Sequence, residues 1–267
     1  MNKTIVLILI FTGFFCRMWA YLNISPYAYC EGNPISYIDP DGCEIRGVSR
    51  SDASKAVQDI REIFPGNDFA NFRNLIVQSG KKNDGYSLAP ISDEALSQSF
   101  SGHSLTDDQR AMVDIVVNTI NSHSKHTIEY VNDNDVLSTK GADAITPYLS
   151  FLNVDKTKDI YGGIPAFIIE ALGGGGVTAP VKNGSHSIIL LNPSLHPNGI
   201  CVTTGHELFG HGRSLSIGRT SESQQHVDAI QTENLILRMI GIPFINFGNN
   251  HGSKTIIPNP IALPSFR

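Results

Sequence analysis

Two histidines and a glutamate between residues 203 and 212 are the side chains best suited to chemistry in this sequence. The stretch reads Thr-Thr-Gly-His-Glu-Leu-Phe-Gly-His-Gly and contains His206, Glu207 and His211. Neutral imidazoles bind zinc well, and a carboxylate beside an open coordination position can take a proton from water. We therefore predict that His206 and His211 bind Zn²⁺ and that Glu207 is the catalytic base of a peptide-bond hydrolase.

The five-residue separation of His206 and His211 constrains the backbone between them. On a regular α-helix, residues four apart lie about 40° apart around the axis, whereas residues five apart lie about 140° apart. One extra residue must be absorbed before both rings can reach one ion, and π-type bulges concentrate at functional sites. We predict such a bulge in this segment, eased by Gly210.

A third zinc ligand is expected from a helix predicted over residues 222–240, which has an apolar face and ends at Gly241-Ile242-Pro243. His226, Ala229 and Glu233 lie along one stripe of that helix. The small Ala229 would let two helices approach closely beside His226. We expect His226 to be the third ligand, with Glu233 and Asp228 as alternatives. Any of the three could instead orient a ligand histidine without touching the metal.

Two earlier helices are indicated by apolar residues at helical spacing. The first has Ser51 or Asp52 as its predicted N-cap and stops at Pro65-Gly66. The second begins after Thr106, and acidic residues in its first turn suit the helix dipole.

The apolar run Ser187–Leu191 predicts a strand shortly before the motif. Either it is a sheet edge that pairs with an extended substrate, or it is a plain core strand. Its neighbour His186 is a candidate substrate contact, and the glycine run 173–176 predicts a loop. We expect surface or loop positions for the remaining histidines, His103, His123, His126, His196 and His251.

Composition favours an ordinary globular protein with room for one catalytic domain and a small appendage. The chain has 267 residues, 41% apolar and 17% charged, with a net charge of −5. This charge and the lack of a basic run argue against nucleic acid as a partner. The four cysteines have no paired metal-ligand spacing, and Cys201 lies in an apolar run that predicts burial.

The first twenty residues have the pattern of a signal peptide. Lys3 precedes the apolar run Ile5–Phe15, Arg17 follows it, and Ala20 could mark cleavage. The run is too short to span a bilayer comfortably, so we expect a secreted or cell-surface-delivered protein with no stable membrane span in its mature form. The alternatives are a buried apolar segment or a start codon chosen inside a longer gene.

Residues 25–42 carry two turns around a short alternating strand, which predicts a β-hairpin. They read SPYAYCEGNP followed by ISYIDPDG. This stretch closely resembles the C-terminal end of the Rhs repeat-associated core, which precedes a variable toxin domain. The resemblance implies that residues 21–45 end an Rhs shell and that residues 46–267 are a polymorphic toxin domain. It also implies a cognate immunity protein as a partner.

The heptapeptide HELFGHG resembles the HELLGHG motif of dipeptidyl peptidase III enzymes. It implies an α+β, zincin-like metallopeptidase domain with a small mixed or antiparallel sheet, an active-site helix and a peptide or protein substrate. Exported zincin toxins often carry glutamate at the position of His226, and imidazole is an equally good ligand. The alternatives are a degenerate Rhs toxin remnant or an interaction protein with at most a structural zinc site, and a housekeeping exported peptidase.

Overall fold

A six-stranded mixed sheet organises the chain in the computed structural model, which describes residues 44–82, 85–152, 163–219, 221–249 and 256–266. The predicted signal peptide and the Rhs-like hairpin lie outside these residues. The strands are β1 Ile45–Gly47, β2 Gln78–Lys82, β3 Gly85–Leu88, β4 Lys125–Val131, β5 Gly176–Val181 and β6 Gly184–Leu190. Their order across the sheet is β2-β3-β1-β4-β6-β5.

Parallel and antiparallel pairings are both present in this sheet. Strands β1, β4 and β6 are parallel neighbours, whereas β2, β3 and β5 pair in antiparallel fashion. The prediction of an α+β fold with a mixed sheet is therefore confirmed at that level. The helices are α1 Arg50–Glu62, α2 Ala70–Leu75, α3 Asp93–Ser99, α4 Asp107–Ile120, α5 Thr139–Ile145, α6 Ile168–Gly173, α7 Ile200–Gly205, the π-helix His206–Gly212, α8 Arg213–Ser216 and α9 Glu222–Met239.

Helix starts follow capping chemistry. Thr106 caps α4 as predicted, because its hydroxyl accepts a hydrogen bond from the Gln109 amide. The predicted cap of α1 at Ser51 or Asp52 is wrong. Ser49 is the N-cap, and the Asp52 carboxylate accepts a hydrogen bond from the Ser49 amide to complete a capping box.

The two faces of the sheet bury two apolar clusters. Ile128 and Ile189 face the cluster that contains Leu208 and Phe209 of the π-helix. The opposite face packs Ile188 and other residues against the helices that follow β4. Because side chains alternate along a strand, the π-helix meets every second residue of β4, β5 and β6.

Strand β6 is the predicted strand near residues 187–191, and it is paired on both sides. The sheet-edge alternative for this strand is therefore wrong, and β5 is the edge strand next to the π-helix. The glycine run forms the turn that joins α6 to β5, with Gly173 and Gly176 ending and beginning those elements. Within the described segments, every helix is too short or too polar to cross a bilayer.

Candidate metal and catalytic site

The segment His206–Gly212 is wound as a π-helix between α7 and α8. The predicted π-type bulge is thereby confirmed. The imidazole rings of His206 and His211 lie with their centroids 5.1 Å apart and their planes at 70°. The extra residue in the turn therefore brings two side chains to one face that a regular α-helix would have separated.

Gly210 lies where the π-helix crosses α9. A Cβ atom at Gly210 would come within 2.6 Å of the Ala229 Cα atom. The two backbones are therefore in direct contact, and Gly210 has no space for a side chain. The sequence predicted that Gly210 eases the bulge and that Ala229 lets two helices approach closely. In the structure these two residues contact each other.

His206 is held from α9 by Glu233. The His206 Nδ1 atom lies 2.8 Å from Glu233 Oε2, and the Asn246 amide donates to both Glu233 oxygens at 3.0 Å. Burial lowers the pKa of His206, but the hydrogen bond and charge of Glu233, together with the charge of Glu207, outweigh it and raise the pKa. A carboxylate that accepts a hydrogen bond from a ring N–H fixes the orientation of the imidazole, as it does for many histidines that bind metals.

Glu207 points towards the edge strand. The Thr178 hydroxyl donates to Glu207 Oε2 at 2.7 Å, and the hydroxyl oxygens of Thr178 and Ser187 lie 2.8 Å apart. Burial raises the pKa of Glu207, although the charge of His206 and the Thr178 hydrogen bond oppose the rise. Gly176 leaves room for the glutamate, since a Cβ there would come within 2.9 Å of Glu207 Cγ. Thr178 was not identified from the sequence.

The three candidate third ligands have different surroundings on α9. Asp228 accepts hydrogen bonds from Arg219 and from the Ser214 hydroxyl at 2.7 Å. Glu233 holds His206, so both carboxylates have structural partners. His226 is buried one turn before Ala229, on the stripe of α9 that packs against the π-helix.

Two of the predicted zinc ligands have the spacing that zinc requires. With Zn–N bonds of about 2 Å and tetrahedral angles, the centroids of two imidazoles on one ion lie about 5 Å apart. The observed separation of His206 and His211 agrees with that value. Among the described residues, no group of three His, Cys, Asp or Glu side chains is gathered closely enough to hold a metal ion. The ring spacing is therefore compatible with a shared zinc ion, whereas the described residues gather no third donor around that point.

Three other histidines are buried. His126 lies on β4, contrary to the expected surface or loop position, whereas His196 lies in the loop before α7, as expected, but is buried there. His126 contacts Ser185, and His196 contacts Thr203 and the Leu190 carbonyl oxygen. His186 lies 3.2 Å from Glu129 on the sheet face away from the π-helix. The structure therefore places His186 away from the candidate site. His103 and His123 are exposed, and His251 lies outside the described residues.

Cys201 is buried and free, as its apolar sequence context predicted. It lies in α7, and burial, the largest cause, raises its pKa to about 11. A thiol with such a pKa stays protonated and is a poor nucleophile or metal ligand near neutral pH.

His206, His211 and Glu207 share one π-helical turn, and Glu233 and Thr178 hold two of them from neighbouring elements. Comparison with known proteins finds no matching family model, curated protein or solved structure.

Proposed function

We propose that this chain is a zinc-dependent metallopeptidase with a zincin-like α+β domain, and that it is the toxin domain of an Rhs-type polymorphic toxin. The observation that carries the peptidase assignment is the convergence of the His206 and His211 rings on one face of a π-helix, with Glu207 between them in sequence. The resemblance of residues 25–42 to an Rhs core supports the toxin assignment, delivery to the cell surface or beyond, and an immunity protein as partner.

His206 and His211 would hold the zinc ion, and His226 is the first candidate for the third ligand. His206 Nδ1–H donates a hydrogen bond to the Glu233 carboxylate, which fixes the orientation of the His206 ring. Of the two alternatives, Asp228 is bonded to Arg219 and Glu233 to His206. A bound zinc ion polarises a carbonyl group and makes water more acidic.

Glu207 supplies the proton-transfer chemistry of this proposal. Its carboxylate takes a proton from the attacking water and later returns it to the leaving amine. Burial favours the protonated form of Glu207 and so helps it to hold that proton between the two steps. The hydrogen bond from Thr178 fixes the carboxylate while the proton is transferred.

An extended peptide could align with β5. This strand is the sheet edge, so one row of its backbone groups has no partner strand among the described elements. The strand is also joined to Glu207 through the side chain of Thr178. A substrate that added to this edge would run past the catalytic carboxylate, as expected for β-augmentation.

The decisive experiment compares the wild type with Glu207→Gln in zinc content, peptide hydrolysis and growth arrest after expression in cells. We expect the variant to keep its zinc and to lose hydrolysis and growth arrest, because only the base is removed. Glu222→Gln is the matched control, since Glu222 is exposed at the start of α9. Unchanged toxicity in Glu207→Gln would end the peptidase proposal. Failure of the wild type to bind zinc would favour a degenerate remnant.

A further inference from the structure

A fully buried carboxylate is attached to the helix that leads into the motif. Asp59 of α1 has no exposed surface and accepts hydrogen bonds from the hydroxyls of Tyr130 and Thr204, each at 2.7 Å. It also forms an ion pair with Lys55. Thr204 lies in α7, two residues before His206. Since Tyr130 lies on β4, one acid joins a helix, a central strand and the approach to the candidate site.

The preceding residue, Thr203, has an anchor of its own. Its hydroxyl oxygen lies 2.8 Å from His196 Nδ1, and the other ring nitrogen of His196 lies against the Leu190 carbonyl oxygen. Because that Nε2 atom donates to the carbonyl, Nδ1 is the acceptor and the threonine hydroxyl donates. Gly175 makes the arrangement possible, since a Cβ atom there would come within 2.6 Å of His196 Cε1. Thr203 is thereby tied to the end of β6.

These anchors lie at the point where the helix changes from α to π winding. A π-helix is rare and is stabilised mainly by its surroundings. Contacts with other elements must therefore fix its rotation about the helix axis. The hydroxyls of Thr203 and Thr204 fix the last α-helical turn on two sides, towards β6 and towards α1 and β4. A rotation of that turn would move the His206 ring, which lies just beyond it.

We propose that Thr203 and Thr204, with their acceptors His196 and Asp59, are positioning residues that hold the π-helix in the register that brings His206 and His211 together. We call these four residues the threonine clamp. None of the four is a candidate zinc ligand or proton donor. The part of this inference that concerns metal affinity rests on the proposed function, whereas the part that concerns the π-helix does not.

The test replaces Thr204 by valine, which has the same shape without the hydroxyl. Thr119→Val is the matched control, because Thr119 is also fully buried and its hydroxyl donates at 2.7 Å to the Ile115 carbonyl within α4. Amide hydrogen exchange is measured by mass spectrometry on metal-free protein, alongside urea unfolding. We expect exchange in the segment His206–Gly212 to be about tenfold faster in Thr204→Val and unchanged in Thr119→Val, after correction for global stability.

A second measurement is Zn²⁺ affinity by competition with a chelator. We expect it to fall about tenfold in Thr204→Val and to stay at the wild-type value in Thr119→Val. Tyr130→Phe removes the other hydroxyl that donates to Asp59. This variant gives a second test if Thr204→Val does not fold. The proposal would be overturned if exchange in the segment His206–Gly212 were no faster in Thr204→Val and Tyr130→Phe than in the Thr119→Val control. If the wild type binds no Zn²⁺, the proposed function fails, and the exchange comparison still decides the role of the clamp.

Discussion

The Thr178 hydroxyl donates a 2.7 Å hydrogen bond to Glu207 Oε2, and so joins the edge strand to the proposed catalytic base. Thr178→Val should lower kcat about tenfold with little change in KM or zinc content, because the carboxylate loses a fixed donor. Thr178→Ser keeps the hydroxyl and should recover most of the rate. Steady-state peptide hydrolysis measures both. A serine variant as slow as the valine variant would show that packing, and not the hydrogen bond, accounts for the loss.

The identity of the third zinc ligand can be tested on α9. His226→Ala should bind less than one zinc per chain at concentrations that saturate the wild type. Asp228→Asn should keep the full zinc content and lose stability, because Asp228 is bonded to Arg219 and Ser214. Metal analysis after dialysis and urea unfolding separate the two effects. Full zinc content in the alanine variant would remove His226 from the ligand set.

Glu233 is expected to act through His206. Glu233→Gln keeps the shape of the side chain but removes the charge that fixes the imidazole through its Nδ1 atom. We expect the zinc affinity to fall about 10- to 100-fold, with one zinc per chain still bound at saturation. Chelator competition gives the affinity, and metal analysis gives the stoichiometry. A variant that cannot be saturated at any zinc concentration would instead identify Glu233 as a direct ligand.

The sequence was sufficient to predict those elements whose formation depends on residues close together along the chain. Helices α4 and α9 are long, and their apolar residues and end signals indicate them without tertiary information. The π-helix could be predicted because two histidines five positions apart cannot share one face of an α-helix. A close approach of two helices at Ala229 was also predicted from its small side chain, whereas Gly210 as the residue it contacts was not.

The sequence was insufficient to predict elements and contacts in which polar residues are buried against partners far away along the chain. Strand β4 contains His126, Thr127 and Glu129, all buried, so its sequence does not show an apolar alternation. Their partners lie on β6 and beside α5, more than fifty residues away for the two histidine contacts. Thr178 precedes Glu207 by 29 residues, and no spacing rule connects them. Residues between 67 and 104 form α2, β2, β3 and α3, each too short to give a clear periodicity.

Close packing at Gly210 predicts a cost for the smallest enlargement. Gly210→Ala would place a methyl group against the Ala229 backbone and should destabilise the protein by about 1–3 kcal/mol. It should also weaken zinc binding, since the π-helix must shift. Gly173→Ala is the control, because a Cβ there meets only Val177 at an ordinary 3.6 Å. Urea unfolding of the two variants gives the difference, and equal stabilities would show that the helices have room to adjust.

His126 predicts a specific loss of stability in mild acid. Burial, the largest cause, and the nearby charge of Arg213 lower its pKa from 6.5 to about 3. The ring is neutral in the folded protein and lies between the hydroxyls of Ser185 and Ser122. Between pH 3 and pH 6.5, His126 therefore binds a proton in the unfolded chain but not in the folded chain. The contribution of neutral His126 is complete above about pH 6.5 and is lost as the pH falls towards 3.

At pH 5 this difference amounts to about 2 kcal/mol of the free energy of unfolding. His126→Asn has no titrating ring, so its stability should fall less than that of the wild type between pH 7 and pH 5, by about that amount. His123→Asn is the control, because His123 is exposed and its variant should follow the wild type. Urea unfolding at pH 7, 6 and 5 makes the comparison. Parallel stability curves for the wild type and His126→Asn would contradict this prediction. They would mean that the His126 ring accepts its proton in the folded state, because water reaches it or Arg213 moves away.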